Sequence, residues 1–190
     1  MSHQFAEIVF TAGVKAAQSA YGSRQRMERF AEMAGPNDTL AESEAEFISQ
    51  RDSFYMATVN EDGWPYVQHR GGPPGFLRVL GPRQLAYADF RGNMQLVSVG
   101  NSGGNDRVSL ILMDYPNRRR LKLLGHMRAE NAADVPTRDL AAVSLDDYRA
   151  LVERVVYIDI EAFDWNCPQH ITPRYTESEW LEREATIKEF

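Results

Sequence analysis

Between Ser53 and Trp165, short β-rich runs alternate with strong turn signals, and that rhythm limits the folds open to this chain more than any other feature. The stretch "SFYMATVNEDGWPYVQHRGG" holds two such runs joined by Glu61-Asp62-Gly63, a hairpin signal. "GFLRVLGPRQLAYADF" holds a second pair, bent at Gly81-Pro82. "RVSLILMDYP" is a continuous apolar, β-branched run that reads as a central strand, and the turn Tyr115-Pro116-Asn117 leads from it into "RRRLKLLGHMRAE". A long last strand follows in "RVVYIDIEAFDW". This spacing of six or more short strands predicts a mainly β chain with flanking helices (α+β), built as a small antiparallel barrel.

Helical signals lie outside and between the strands. Good helix formers run from about Glu7 to Ala34, interrupted near Gly22-Ser23. Thr39 and Glu42 stand in capping-box register for a helix ending near Gln50, and Thr176 with Glu179 repeats the pattern before the C-terminal segment. A further helix is expected from Asp146 to Leu151, ahead of the last strand. The expected organisation is one domain over 1–190, with a helical region at 1–50, the barrel core at 51–171 and a helix at 172–190.

Charge and cysteine content narrow the function classes. The net charge of −6 argues against a general phosphate-backbone binder, so no nucleic-acid partner is expected. A lone cysteine, Cys167, cannot form an intrachain disulfide, and no apolar run reaches membrane-spanning length. With no secretory signal at the start, these features predict a cytoplasmic protein with no membrane partner.

Three motifs carry weak chemical signals. "GNSGG", Gly100 to Gly104, matches G-x-S-x-G, but the elbow needs a helix after the serine and a strand follows here. A flexible loop accounts for it better than a hydrolase nucleophile. The four histidines are scattered, so no metal site is expected. Cys167 and His170 lie close in "WNCPQH", yet a following proline and the general inertness of lone thiols favour a fixed turn.

The stretches "QHRGGPPGF" and "DFRGNMQ" are more informative. "RGGPPG" follows a strand and leads into another strand, which rules out a Rossmann or phosphate-loop reading. A strand ending in glycines lets a flat ligand lie against the backbone. At the second stretch, Arg91, Gly92 and Asn93 could hold a dianionic phosphate through a guanidinium, a backbone N–H and a side-chain amide.

Taken in order, "FYMATVNEDGWPYVQHRGG", "GFLRVLGPRQLAYADFRGNMQ", "NDRVSLILMDYPNRRRLKLLGHMR" and "DWNCPQH" resemble the pyridoxamine 5'-phosphate oxidase-related, FMN-binding split-barrel family, over about Phe47 to Ile171. More closely, the chain resembles a bacterial subgroup with "RGG…GF", "RGN" and "WNCPQH" signatures. The resemblance implies a homodimer of six-stranded split barrels with FMN in the groove between subunits. It sets Gln68, His69, Arg70 and Gly71 along the isoalloxazine, and Arg91, Asn93 and Gln95 at the FMN phosphate. Trp165 and Asn166 would reach a flavin site, that of the partner subunit included, with His170 a weak catalytic candidate. By strand alternation His69 should face away from Arg70. The tail "LEREATIKEF" lacks the Arg-Leu-x-Pro ending of vitamin B6 oxidases, and Arg-Gly-Asn replaces their Ser-Arg-Lys pattern, so that activity is not expected. The implied function is an FMN-dependent oxidoreductase with a small-molecule substrate. The alternatives are a non-catalytic flavin-binding or sensing module, or a split barrel that hosts haem or a deazaflavin.

Overall fold

A computed structural model describes residues 3–33, 35–145, 148–165 and 167–188. Seven strands form one antiparallel sheet: β1 (Ser53–Val59), β2 (Pro65–Gly71), β3 (Arg78–Gly81), β4 (Gln84–Phe90), β5 (Arg107–Asp114), β6 (Arg119–Asn131) and β7 (Val152–Trp165). Their order is β2-β1-β5-β6-β7-β4-β3. The sequence expectation of a six-stranded barrel thus becomes a seven-stranded sheet, and among the described residues no ladder joins β2 to β3 to close it.

The sheet nevertheless curls. β1 and β4 are four strand steps apart, about 19 Å across a flat sheet. Yet the rings of Phe54 on β1 and Tyr87 on β4 lie 5.5 Å apart. Arg70 on β2 reaches Asp89 on β4 at 3.5 Å from five steps away. Register shifts at Leu124/Gly125 and at Asp89/Phe90 supply the bends. At the first, a Cβ on Gly125 would strike the Asp159 carbonyl, so the bulge accepts only glycine without movement. Alternate residues of the curled strands (Phe54, Met56, Leu110, Leu112, Leu121, Leu123) fill one apolar core.

Helices close the open faces. α1 (Gln4–Val9) packs on β7 through Phe5 and Ala6. Buried His3 caps it, its Nδ1 accepting from the Ala6 N–H at 3.4 Å. α2 (Ala12–Ala20) buries no residue and packs on α3 (Arg24–Met33). α4 (Glu42–Ser49) drives Phe47 and Ile48 into the core. Its cap departs from expectation: Ala41, not Thr39, precedes the helix, and Glu44 reaches back to the Ala41 N–H at 3.1 Å. Ala41 has no side-chain acceptor, so only half of a capping box exists.

The expected loop at "GNSGG" is instead the end of α5 (Val97–Gly104). Three glycines oppose helix formation there. Tertiary bonds override them, because Ser98 Oγ donates to Gln68 Oε1 at 3.3 Å and Asn101 Nδ2 to Thr58 Oγ1 at 2.9 Å. The helix expected at 146–151 lies earlier, as α6 (Thr137–Val143), whose Leu140 and Val143 cover Ala86 and Ala88 of β4. Residues 146 and 147 are outside the described set, and 148–151 are not helical. α7 (Glu177–Lys188) opens as expected: Glu179 Oε2 accepts from the Thr176 N–H at 2.7 Å. No described helix is long and apolar enough to cross a membrane.

Candidate functional site

The site is built on the alternation of β2. Gln68 and Arg70 face inward, while Val67, His69 and Gly71 are exposed on the other face. Arg70 is buried at 8% exposure and ion-pairs through Nη1 with Asp89 Oδ1 at 3.5 Å. Asp89 is itself buried, and its Oδ2 accepts from Arg154 Nε at 2.9 Å. Arg154 reaches Glu153 at 3.4 Å, and Glu153 accepts from Arg91 Nε at 3.0 Å. Five alternating charges therefore run from the inside of the curled sheet to its rim and sum to one positive charge.

Two donors beside this row are unsatisfied. Arg70 Nε is buried with no hydrogen-bond partner, and so is the hydroxyl of Tyr87, over whose ring the Arg70 guanidinium sits at 5.7 Å. Burial pushes the Tyr87 hydroxyl far above its ordinary pKa, with Arg70 opposing and Asp89 adding to the shift. A buried donor without a partner carries its desolvation cost uncompensated, which makes this a place prepared for an acceptor.

The segment 91–96 continues β4 and leads into α5, and both of its ends are tied to β2: Asp89 to Arg70, and Ser98 to Gln68. Two residues take left-handed backbone, Gly92 at φ 129° and Leu96 at φ 51°. Asn93 Nδ2 is buried and unpartnered. Gln95 is exposed, as is Arg91, held at its base by Glu153 and by its own N–H to the Leu151 carbonyl at 2.8 Å. The structure thus brings Gln68, Arg70, Arg91, Asn93 and Gln95 onto one strand and one adjoining segment.

The remaining expected residues lie elsewhere. His69 stacks edge-on with Tyr55 at 5.5 Å on the outer face, so only its backbone belongs with Arg70. A Cβ on Gly71 would meet the His69 ring at 3.0 Å. The glycines that follow serve the fold: a Cβ on Gly72 would sit 2.8 Å from Phe76, and Gly75 turns at φ 83°. Trp165 is not at this site in the same chain. Strand pairing sets it four steps from Arg70, through Phe54, Leu112 and Leu121, about 19 Å across the sheet. Its Nε1 donates to Glu44 Oε1 at 2.8 Å. Asn166 lies outside the described residues. His170 is exposed at φ 65°, Cys167 is exposed, and Ser102 Oγ donates to the Val99 carbonyl at 2.8 Å within its own helix.

Asp89, Arg154, Glu153 and Tyr87 were not among the sequence candidates. A signal existed: Asp89 interrupts the apolar run "LAYADF", and Arg154 opens "RVVYIDI". A charge inside a strand that is otherwise buried needs a partner.

No protein-family model matches the sequence, and no curated protein does. Solved structures do match. A candidate pyridoxamine 5'-phosphate oxidase of Lactobacillus delbrueckii is 23% identical, with a TM-score of 0.52 over 67% of this chain and 94% of its own. HupZ of Group A Streptococcus is 14% identical, with a TM-score of 0.53 over 72% of this chain and 99% of its own. At such identities the likeness is one of fold: a curled antiparallel sheet with flanking helices, of the pyridoxamine 5'-phosphate oxidase-like split-barrel kind.

Proposed function

We propose that this chain is an FMN-binding flavoprotein that acts, as a homodimer, as an oxidoreductase on a small-molecule substrate. The observation that carries the reading is Arg70: buried, anchored through Asp89, and left with an unpartnered Nε. Asn93 Nδ2, on the segment tied to the same strand, is a second orphaned donor. FMN offers what these donors lack, acceptor atoms on a ring edge and a dianionic phosphate, so the residues present fit the group. Arg70 and the β2 backbone from Gln68 to Gly71 would hold the ring. Arg91, Asn93 and Gln95 would hold the phosphate.

Bound FMN supplies hydride acceptance and electron transfer. The chain's own task is to position and polarise: Asp89 and Arg154 hold the Arg70 guanidinium in one place, and the row's net positive charge favours an anion. Among the described residues of the site none is a ready general base, and His170 is exposed. Trp165, four strand steps from Arg70, would join the flavin site of a second copy, and the homodimer reading rests on that.

The test is the visible spectrum of the purified protein, with heat release of any chromophore. Bands near about 370 and 450 nm with FMN released are expected. Arg70→Ala should weaken FMN binding about 10- to 100-fold, the value of about 1.5–3 kcal/mol for a hydrogen bond to a charged group. A colourless protein that refuses added FMN refutes the reading. FMN bound without turnover by any reduced nicotinamide or organic donor would leave a binding or sensing module.

A further inference from the structure

We propose that the cleft between the β5–β6 turn and the first turn of α4 binds a small organic oxyanion, a carboxylate or phosphate carried on an apolar body. The cleft encloses about 470 Å³, within the range of small-molecule sites. Trp165 and Pro168 give it an apolar wall, Arg118, Arg119 and Arg120 a cationic one, and Ser43 and Glu44 line the side formed by α4. The proposed dimer would bring this same Trp165 to the partner's flavin, so binding to the cleft is read on protein freed of FMN.

An arginine run is ordinarily a solvated face, and three features set this one apart. First, Arg118 takes left-handed backbone at φ 53°, in a hairpin position that glycine or asparagine would fill at lower energy. Its guanidinium makes no hydrogen bond or ion pair with any described residue. Second, the turn is rigid. Asp114, buried at 4% exposure, accepts from the Asn117 N–H at 3.1 Å and from its Nδ2 at 3.0 Å, and pairs with Arg51 at 3.8 Å. Third, the aromatic wall is fixed before any ligand arrives. Arg119 lies over the Trp165 ring at 4.7 Å and over Phe47 at 5.1 Å, while Trp165 Nε1 is held by Glu44 at 2.8 Å.

The one carboxylate among the described residues of the cleft does not oppose an anion strongly. Glu44 accepts from Trp165 Nε1, from the Ala41 N–H at 3.1 Å and from Ser43 Oγ at 3.0 Å, so its charge is already engaged by three donors. Arg118 and Arg119 line the cleft with it, and one positive charge remains. A guanidinium fork held on a strained, clamped turn beside an indole is an arrangement suited to a carboxylate or phosphate with a ring or short chain attached.

Replacing the exposed Trp64 and Trp180 by Phe leaves Trp165 as the sole tryptophan of the three. Its emission is then followed while benzoate, phenyl phosphate or benzyl alcohol is added at constant ionic strength. A saturable change with one or both anions, and none with benzyl alcohol, is expected. Response to phenyl phosphate alone names a phosphate ligand; response to benzoate alone names a carboxylate. Arg118→Gly should raise the dissociation constant at least tenfold, with a melting temperature equal to or above the parent's. No saturable change, an equal response to benzyl alcohol, or unchanged affinity in Arg118→Gly overturns the proposal. So does a lowered melting temperature in that variant, which would make Arg118 a turn residue only.

Discussion

Asp89→Asn tests the centre of the charge row. Asp89 is 3% exposed and is the shared partner of Arg70, 9% exposed, and Arg154, 16% exposed. The substitution keeps volume but leaves the buried Arg70 and half-buried Arg154 guanidinium groups facing a neutral amide, with mutual repulsion no longer offset. Removing one partner of a buried pair costs about 3–5 kcal/mol, and the surviving amide oxygen keeps one acceptor, so about 3 kcal/mol is expected. With a urea m-value of roughly 2 kcal/mol/M, the unfolding midpoint should fall by about 1.5 M. The assay is urea denaturation followed by far-ultraviolet dichroism. Adding Arg70→Gln should recover part of that loss, because the stranded charge is removed, so the double mutant is less unstable than the sum of the singles. A loss below about 1 kcal/mol, or strict additivity in the double mutant, would refute the view that the row acts as one buried unit.

Three further outcomes are expected. Gly125→Ala drives a methyl into the Asp159 carbonyl at the β6–β7 bulge and should cost about 3 kcal/mol, read as a drop in melting temperature of several degrees. For Glu44, burial raises the carboxyl pKa, but bonds from Trp165, Ser43 and the Ala41 N–H outweigh it and leave the value below 4.5. A depressed carboxylate stabilises the fold above its unfolded pKa and loses that contribution as pH falls through the folded one. Stability should therefore decline below about pH 4.5, and Glu44→Gln should flatten that part of the stability–pH curve. Tyr87→Phe deletes a buried hydroxyl that has no partner and should stabilise the ligand-free chain by about 1 kcal/mol; destabilisation would show that the hydroxyl is bonded.

What could be read from the sequence was local. Hairpin turns such as Asn60–Gly63 declare themselves because turn chemistry sits within a few residues, and the strands between them alternate or run apolar. The Thr176–Glu179 cap is equally self-contained. Features that depend on distant partners were not legible. α5 forms against its glycines because Gln68 and Thr58 hold it, and α6 sits where Ala86 and Ala88 need cover. Gly72 and Gly75 looked like a ligand approach but serve the packing of Phe76 and a tight turn. Arg70 and Arg91 were visible as candidates. Their connection through Asp89, Arg154 and Glu153 required β2 and β4 to meet across the curled sheet.

The unburied α2 also governs how α1 stays on the curled sheet. α1 has six residues and is held on β7 by Phe5, Ala6, the capping His3 and a bond from Gln4 Nε2 to Glu161 Oε1 at 3.3 Å, too few contacts for a free peptide of that length to bind well. It remains docked because α2 and α3 tether it, which keeps its effective concentration high at its own site. Tyr21 and Gly22, exposed at the α2–α3 turn, are the natural point for a protease to cut. A single nick there would break no core contact, yet it would turn an intramolecular equilibrium into a bimolecular one. The first helix would then leave on dilution, with the curled sheet itself unharmed.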